Sequence, residues 1–143
     1  MFKSRFLTVS RVLGMLLILE AGFMLLSVGV ALIYNGNDVK PLLESSLITF
    51  LVGFILRVPI FKHQTINIDR RLGFLIVALI WIIMSLFGAL PYYIGNYTSY
   101  TDAFFETMSG FTTTGASVIV DIEIMPKGLV FWRHLTNAIG GIG

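Results

Sequence analysis

The stretch Asp102-Ala103-Phe104-Phe105-Glu106-Thr107-Met108-Ser109-Gly110-Phe111-Thr112-Thr113-Thr114-Gly115-Ala116-Ser117 sets a short, helix-compatible apolar pattern directly ahead of a threonine-rich run that ends in glycine. Ser99-Tyr100-Thr101-Asp102 has the spacing of a helix start with a capping box. The helix that follows, about ten residues to Phe111, is too short to cross a membrane: at 1.5 Å per residue it descends only about 15 Å, roughly half the hydrocarbon thickness. An extended return over Thr112 to Ala116, at about 3.3 Å per residue, climbs about 16 Å. Descent and return match, so the stretch reads as a re-entrant loop. Gly110 is expected at the reversal, where a helix commonly ends in a left-handed residue.

The surroundings favour this reading. On its own, Thr-Thr-Thr-Gly-Ala-Ser is an ordinary polar loop, but here it lies among hydrophobic segments of membrane length. The 143 residues are 56% hydrophobic and only 13% charged, with a mean hydropathy of +0.87. Soluble domains carry about a quarter charged residues. The composition predicts an all-α, polytopic membrane protein. One span is expected from about Val12 to Tyr34, a second from about Pro41 to Phe61 and a third from about Leu72 to Gly95. A fourth begins near Lys127 and reads as cut short at Gly143. The basic residues ahead of the first span mimic a signal peptide, but the apolar run is about twice too long and lacks a clear cleavage site, so it reads as a retained span. Residues 1–71 then form a leading pair of helices, and 72–143 form a helix, re-entrant loop, helix unit.

Basic residues gather at cytoplasmic ends of spans. Lys3, Arg5 and Arg11 precede the first span, and Lys62, Arg70 and Arg71 follow the second, with Arg57 able to snorkel toward them. Both clusters fall on one side. The N terminus is therefore expected in the cytoplasm, and the segment from about Asn96 to Pro126, which holds the Thr-Gly run, outside.

A descending helix aims the negative end of its dipole at the bilayer middle, where a dehydrating cation needs compensation. The backbone carbonyls of Thr112, Thr113, Thr114 and Gly115 are the candidate ligands for such an ion. Gly115 permits a backbone angle closed to other residues, and Phe104, Phe105 and Phe111 are expected to pack the loop against its neighbours. Arg133 is a candidate brace for the loop through Glu106 or Asp121. Glu20, inside the first span, is costly there and thus a functional candidate, although a buried structural contact is the favoured reading. Gly14, Gly22 and Gly29 suggest a small-residue stripe for helix packing.

Other functions find little support. There are no cysteines, which removes disulfides, thiolate metal sites and cysteine nucleophiles. No nucleophile and base pair stands out, so an enzyme is not expected and no cofactor is implied. His63 and His134 fall on opposite sides of the membrane and make no ligand set. A net charge of +2 is too small to suggest nucleic acid as a partner.

The run from Asp102 to Ser117, followed by Lys127-Gly128-Leu129-Val130-Phe131-Trp132-Arg133-His134-Leu135 and Gly140-Gly141-Ile142-Gly143, resembles the first repeat of the Trk/Ktr/HKT potassium transporters, and most of all the bacterial Trk-type membrane subunit. The resemblance covers essentially the whole chain and is most specific from Leu90-Pro91-Tyr92 onward. It implies a fourfold pseudo-repeat around one pore, with a single filter glycine per repeat, here Gly115. Potassium is the implied ion. Relatives that favour sodium often carry serine at that position, so a sodium-permeable member is one alternative and a non-conducting membrane scaffold another. The resemblance also implies a homodimer and a cytoplasmic nucleotide-binding regulatory subunit. One repeat supplies one quarter of such a filter.

Overall fold

The computed structural model describes residues 2–57 and 70–142. Among the described residues seven helical elements follow one another, six α-helices and one 3-10 turn: α1 (Phe2–Ile33), α2 (Val39–Arg57), α3 (Arg70–Gly88), α4 (Leu90–Ile94), α5 (Tyr100–Phe111), the 3-10 turn Ile122–Ile124 and α6 (Lys127–Ile142). The described residues contain no strand. Among the described residues three segments are long and apolar enough to cross a membrane: Leu7–Ile33, Val39–Arg57 and Arg70–Ile94. The basic loop from Lys62 to Asp69, which contains His63, lies outside the described residues, as do the last positions expected for the second span and the side chains of Lys3 and Arg5.

α1 and α2 form a tight antiparallel pair, joined by a turn in which Asn35 adopts φ +50°. In lipid, apolar burial gives helices little reason to associate, so close packing and interhelical hydrogen bonds decide where they cross. Both are present. A methyl on Gly14 would come within 2.7 Å of the Gly53 carbonyl, and one on Gly53 within 2.9 Å of the Gly14 carbonyl, so the backbones touch at this crossing. Farther along, the Ser46 hydroxyl donates to the Ala21 carbonyl at 2.9 Å, and the Ser10 hydroxyl donates to the Leu56 carbonyl at 3.1 Å. The three glycines of α1 therefore do not act as one stripe. Gly14 makes the crossing, whereas among the described residues nothing lies within 4 Å of a Cβ built at Gly22 or Gly29.

The third span is interrupted. A turn at Ala89 separates α3 from α4, and Pro91 stands in the first turn of α4. Proline has no amide hydrogen and clashes with the carbonyl four residues back, so it breaks the ladder there. The indole Nε1 of Trp132 on α6 donates to the Gly88 carbonyl at 3.0 Å, giving this group at the break a partner. Trp132 is fully buried.

α5 packs against α3, α4 and α6, while α6 also leans on α1. The main core gathers where these helices meet and includes Met24, Val28, Leu42, Tyr92, Ala103, Leu129 and Trp132. A smaller cluster of Val9, Leu13, Leu72 and Ile76 joins α1 to α3. The leading pair and the helix, loop, helix unit are thus one packed body, with α5 held near its middle.

Candidate functional site

α5 starts as its sequence directs. Ser99 is the N-cap, its hydroxyl oxygen accepts from the Asp102 amide at 3.2 Å, and the same hydroxyl donates to the Asp102 carboxylate at 2.7 Å. These bonds occupy an amide that the first turn cannot pair internally.

The other end differs from expectation. Gly110 is not at the reversal; it stays inside α5, where a methyl would collide with the Thr136 hydroxyl of α6. Glycine is needed there for close approach. The left-handed residue is instead Thr113, with φ +56°, after Thr112 at φ −82°, ψ 0°. The Thr113 amide donates to the Gly110 carbonyl at 2.9 Å, and the Thr114 amide donates to the Ser109 carbonyl at 3.0 Å. This is a Schellman cap with threonine where glycine usually stands. A left-handed β-branched residue is strained, by about 1–2 kcal/mol. Threonine contacts surround it, with the Thr112 hydroxyl donating to the Met108 carbonyl at 2.7 Å and lying 2.9 Å from that of Thr114.

Thr112 and Thr113 thus belong to the cap and not to the extended return expected from Thr112, and the chain runs back along α5 only beyond them. The Ser109 hydroxyl donates to the Ala116 carbonyl at 2.6 Å. One turn earlier on the helix, Glu106 takes the next residues: the Ser117 hydroxyl donates to its carboxylate at 3.0 Å and the Val118 amide at 3.2 Å. The pairing of 109 with 116 and of 106 with 117 and 118 defines an antiparallel return. Gly115, within it, has φ +76°, and nothing lies within 4 Å of the position its Cβ would take. Thr112, Thr113, Thr114 and Gly115 are all exposed.

Glu106 is also where α6 meets the return strand. Arg133 Nε donates to Glu106 Oε1 at 2.5 Å, with side-chain exposures of 14% and 1%. Such a buried pair is held only when its remaining lone pairs are used, and Ser117 and Val118 use them. Of the two partners expected for Arg133, the structure pairs it with Glu106. α6 further grips the end of α5 through Gly140, where a methyl would strike the Phe111 carbonyl. Phe111 is buried and its ring lies 6.4 Å from that of Trp81. Phe104 packs on the main core, while Phe105 remains 45% exposed.

Sequence reasoning missed Ser109 and Ser117. Their signal was faint, since serine in a polar loop is common, and only the antiparallel return gives their spacing from Ala116 and Glu106 a meaning. Glu20 is fully buried, and Gly88 is bare beside it, a methyl there coming within 2.8 Å of Glu20 Oε1, 2.6 Å of Thr107 and 3.3 Å of Phe111. Among the described residues neither Glu20 oxygen has a hydrogen-bond partner. Its carboxyl thus shares the surroundings of Gly88 with Thr107 and Phe111 of α5. Among the described residues there is no cluster of three or more metal-ligating His, Asp or Glu side chains.

Residues 42–143 match the family model TrkH, described as a cation transport protein. The chain belongs to the TrkH family. It is 36% identical over 140 residues to the Trk system potassium uptake protein TrkH of Salmonella typhimurium, covering 96% of this chain and 29% of the relative. An uncharacterized cation transporter of Methanocaldococcus jannaschii is also 36% identical, over 92% of this chain and 27% of that protein. The crystal structure of the potassium transporter TrkH from Vibrio parahaemolyticus superposes with a TM-score of 0.90 at 36% identity, covering 96% of this chain and 30% of that one. The all-helical fold is therefore that of TrkH, and the chain is integral to a membrane. This TrkH-family chain spans about three tenths of the length of the relatives it matches.

Proposed function

We propose that this chain contributes one filter strand to a channel-like pore that carries potassium into the cell. One observation carries the reading: a half-membrane helix turns through a strained cap into a return strand that is tied to it from behind, while Thr112 to Gly115 stay exposed. Tying the strand from behind frees its front for an ion. Backbone carbonyls of Thr112, Thr113, Thr114 and Gly115 replace part of the potassium hydration shell, and the negative end of the α5 dipole adds favourable potential. Glu106, Gly110 and Arg133 serve as supports. None of them is an ion ligand in this scheme, because Glu106 and Arg133 spend their charges on each other and Gly110 faces α6.

One strand cannot encircle an ion, so the pore needs further strands of the same kind arranged around a common axis. The names of the relatives support potassium as the ion. A cytoplasmic N terminus, an external filter loop, a homodimer and a cytoplasmic nucleotide-binding regulatory subunit belong to the same proposal, and no covalent chemistry is required. The test is growth of a potassium-uptake-deficient bacterium at low potassium when it expresses the full-length transporter. Rescue is expected. Failure to rescue despite correct membrane insertion would favour a non-conducting scaffold.

A further inference from the structure

We propose that Asp38, in the turn between α1 and α2, is a positioning residue for the filter: it fixes the register of α6 so that Arg133 meets Glu106. The inference rests on the conduction reading above and extends it to the leading helix pair, which lies outside the loop itself.

α6 begins at Lys127. The residue before this helix is Pro126, whose carbonyl accepts from the Val130 amide at 3.1 Å. It therefore occupies the N-cap position, yet proline has no side-chain acceptor for the orphan amides of the first turn. The missing acceptor comes from 91 residues away: the Leu129 amide donates to Asp38 Oδ2 at 2.9 Å. Leu129 is the third residue of α6, the position an N-cap side chain normally serves. A carboxylate there also complements the positive end of the helix dipole.

The fold makes room for this contact on both sides. A methyl on Gly128 would come within 2.5 Å of Asp38 Oδ2, 2.7 Å of Ala31 and 2.9 Å of Leu42, and a methyl on Gly36 would collide with Oδ1. Two glycines thus flank one carboxylate. Asp38 itself is fully buried, and Oδ1 has no hydrogen-bond partner among the described residues. Such burial is costly, and the bond to α6 is what the side chain obtains in return. Asp38 also anchors α2, whose Leu42 amide donates to the Asp38 carbonyl at 3.1 Å.

Arg133 lies four residues after Leu129, one turn on and on the same face. From there the path is continuous: Arg133 to Glu106, and Glu106 to Ser117 and Val118 just past Gly115. Without the Asp38 cap the first turn of α6 loses its external fixed point, and the Arg133 guanidinium shifts against the carboxylate that holds the return strand.

The experiment compares Asp38→Ala with Asp38→Asn in the full-length transporter reconstituted into liposomes, reading the potassium over sodium permeability ratio. Asparagine keeps an acceptor for the Leu129 amide and is expected to hold the ratio within about twofold of wild type. Alanine is expected to lower it by about fivefold, the size of a lost capping interaction expressed as a ratio. Asp38→Ser, whose hydroxyl is too short to reach, replaces alanine if that protein does not fold. Equal ratios for wild type, Asn and Ala would overturn the positioning role while leaving the conduction reading intact. Loss of folded protein with both Ala and Ser would assign Asp38 to folding alone and overturn it as well. A wild type without potassium flux would end both readings.

Discussion

Thr113 is the residue at which sequence expectation and structure part most clearly. A helix followed by a reversal calls for a left-handed residue, and Gly110 is the nearby glycine. The chain instead uses Gly110 to admit Thr136 and bends at Thr113, with φ +56°. Propensity alone could not reveal this, because the demand for close packing comes from α6, 26 residues downstream. The strain at Thr113 is testable. Thr113→Gly relieves a left-handed penalty of about 1–2 kcal/mol, partly offset by the greater freedom of glycine in the unfolded chain. A net gain of up to about 1 kcal/mol is expected, seen as a higher thermal midpoint in detergent. A lower midpoint would mean that the freedom of glycine in the unfolded chain outweighs the strain. Gly115 is the one residue whose expected backbone freedom the structure uses, at φ +76°.

At the scale of elements, helix existence was legible in the sequence and helix interruption was not. Three apolar runs of membrane length announce α1, α2 and α3, and Ser99 with Asp102 announces α5. The break at Ala89 depends on Pro91, which sequence reading absorbed into a continuous span because apolar residues continue past it. The brace between Arg133 and Glu106 was one of two open pairings, since spacing along α6 cannot tell which loop residue returns to it. The return strand makes the choice by bringing Ser117 and Val118 to the same carboxylate. This predicts strong coupling. Glu106→Gln and Arg133→Gln alone each leave a largely buried charge without its counterion, and each is expected to cost about 3–5 kcal/mol. The double variant is expected to cost well below their sum, with an interaction of at least about 1 kcal/mol in a double-mutant cycle on unfolding. Simple additivity would show that the pair does not act as a unit.

The whole molecule joins two parts of unequal legibility. The helix, loop, helix unit could be read from one sixteen-residue stretch and its resemblance to potassium transporters, and membership of the TrkH family agrees with that reading. The dependence of that unit on the leading pair was not legible, because Asp38 and Leu129 are 91 residues apart and neither belongs to a motif. Long-range caps of this kind emerge only when the fold is assembled. In the proposed pore the exposed segment from Thr112 to Gly115 faces the ion, and Gly115 sets its geometry. Among the described residues nothing lies within 4 Å of a Cβ built at Gly115, so it is the positive φ that resists substitution. The most direct measurement is the potassium over sodium permeability ratio of Gly115→Ser in the full-length transporter, read from reversal potentials in bi-ionic solutions. A left-handed penalty of about 1–2 kcal/mol predicts a roughly five- to thirtyfold fall in the ratio, and a ratio equal to that of wild type would contradict the placement of Gly115 on the ion path.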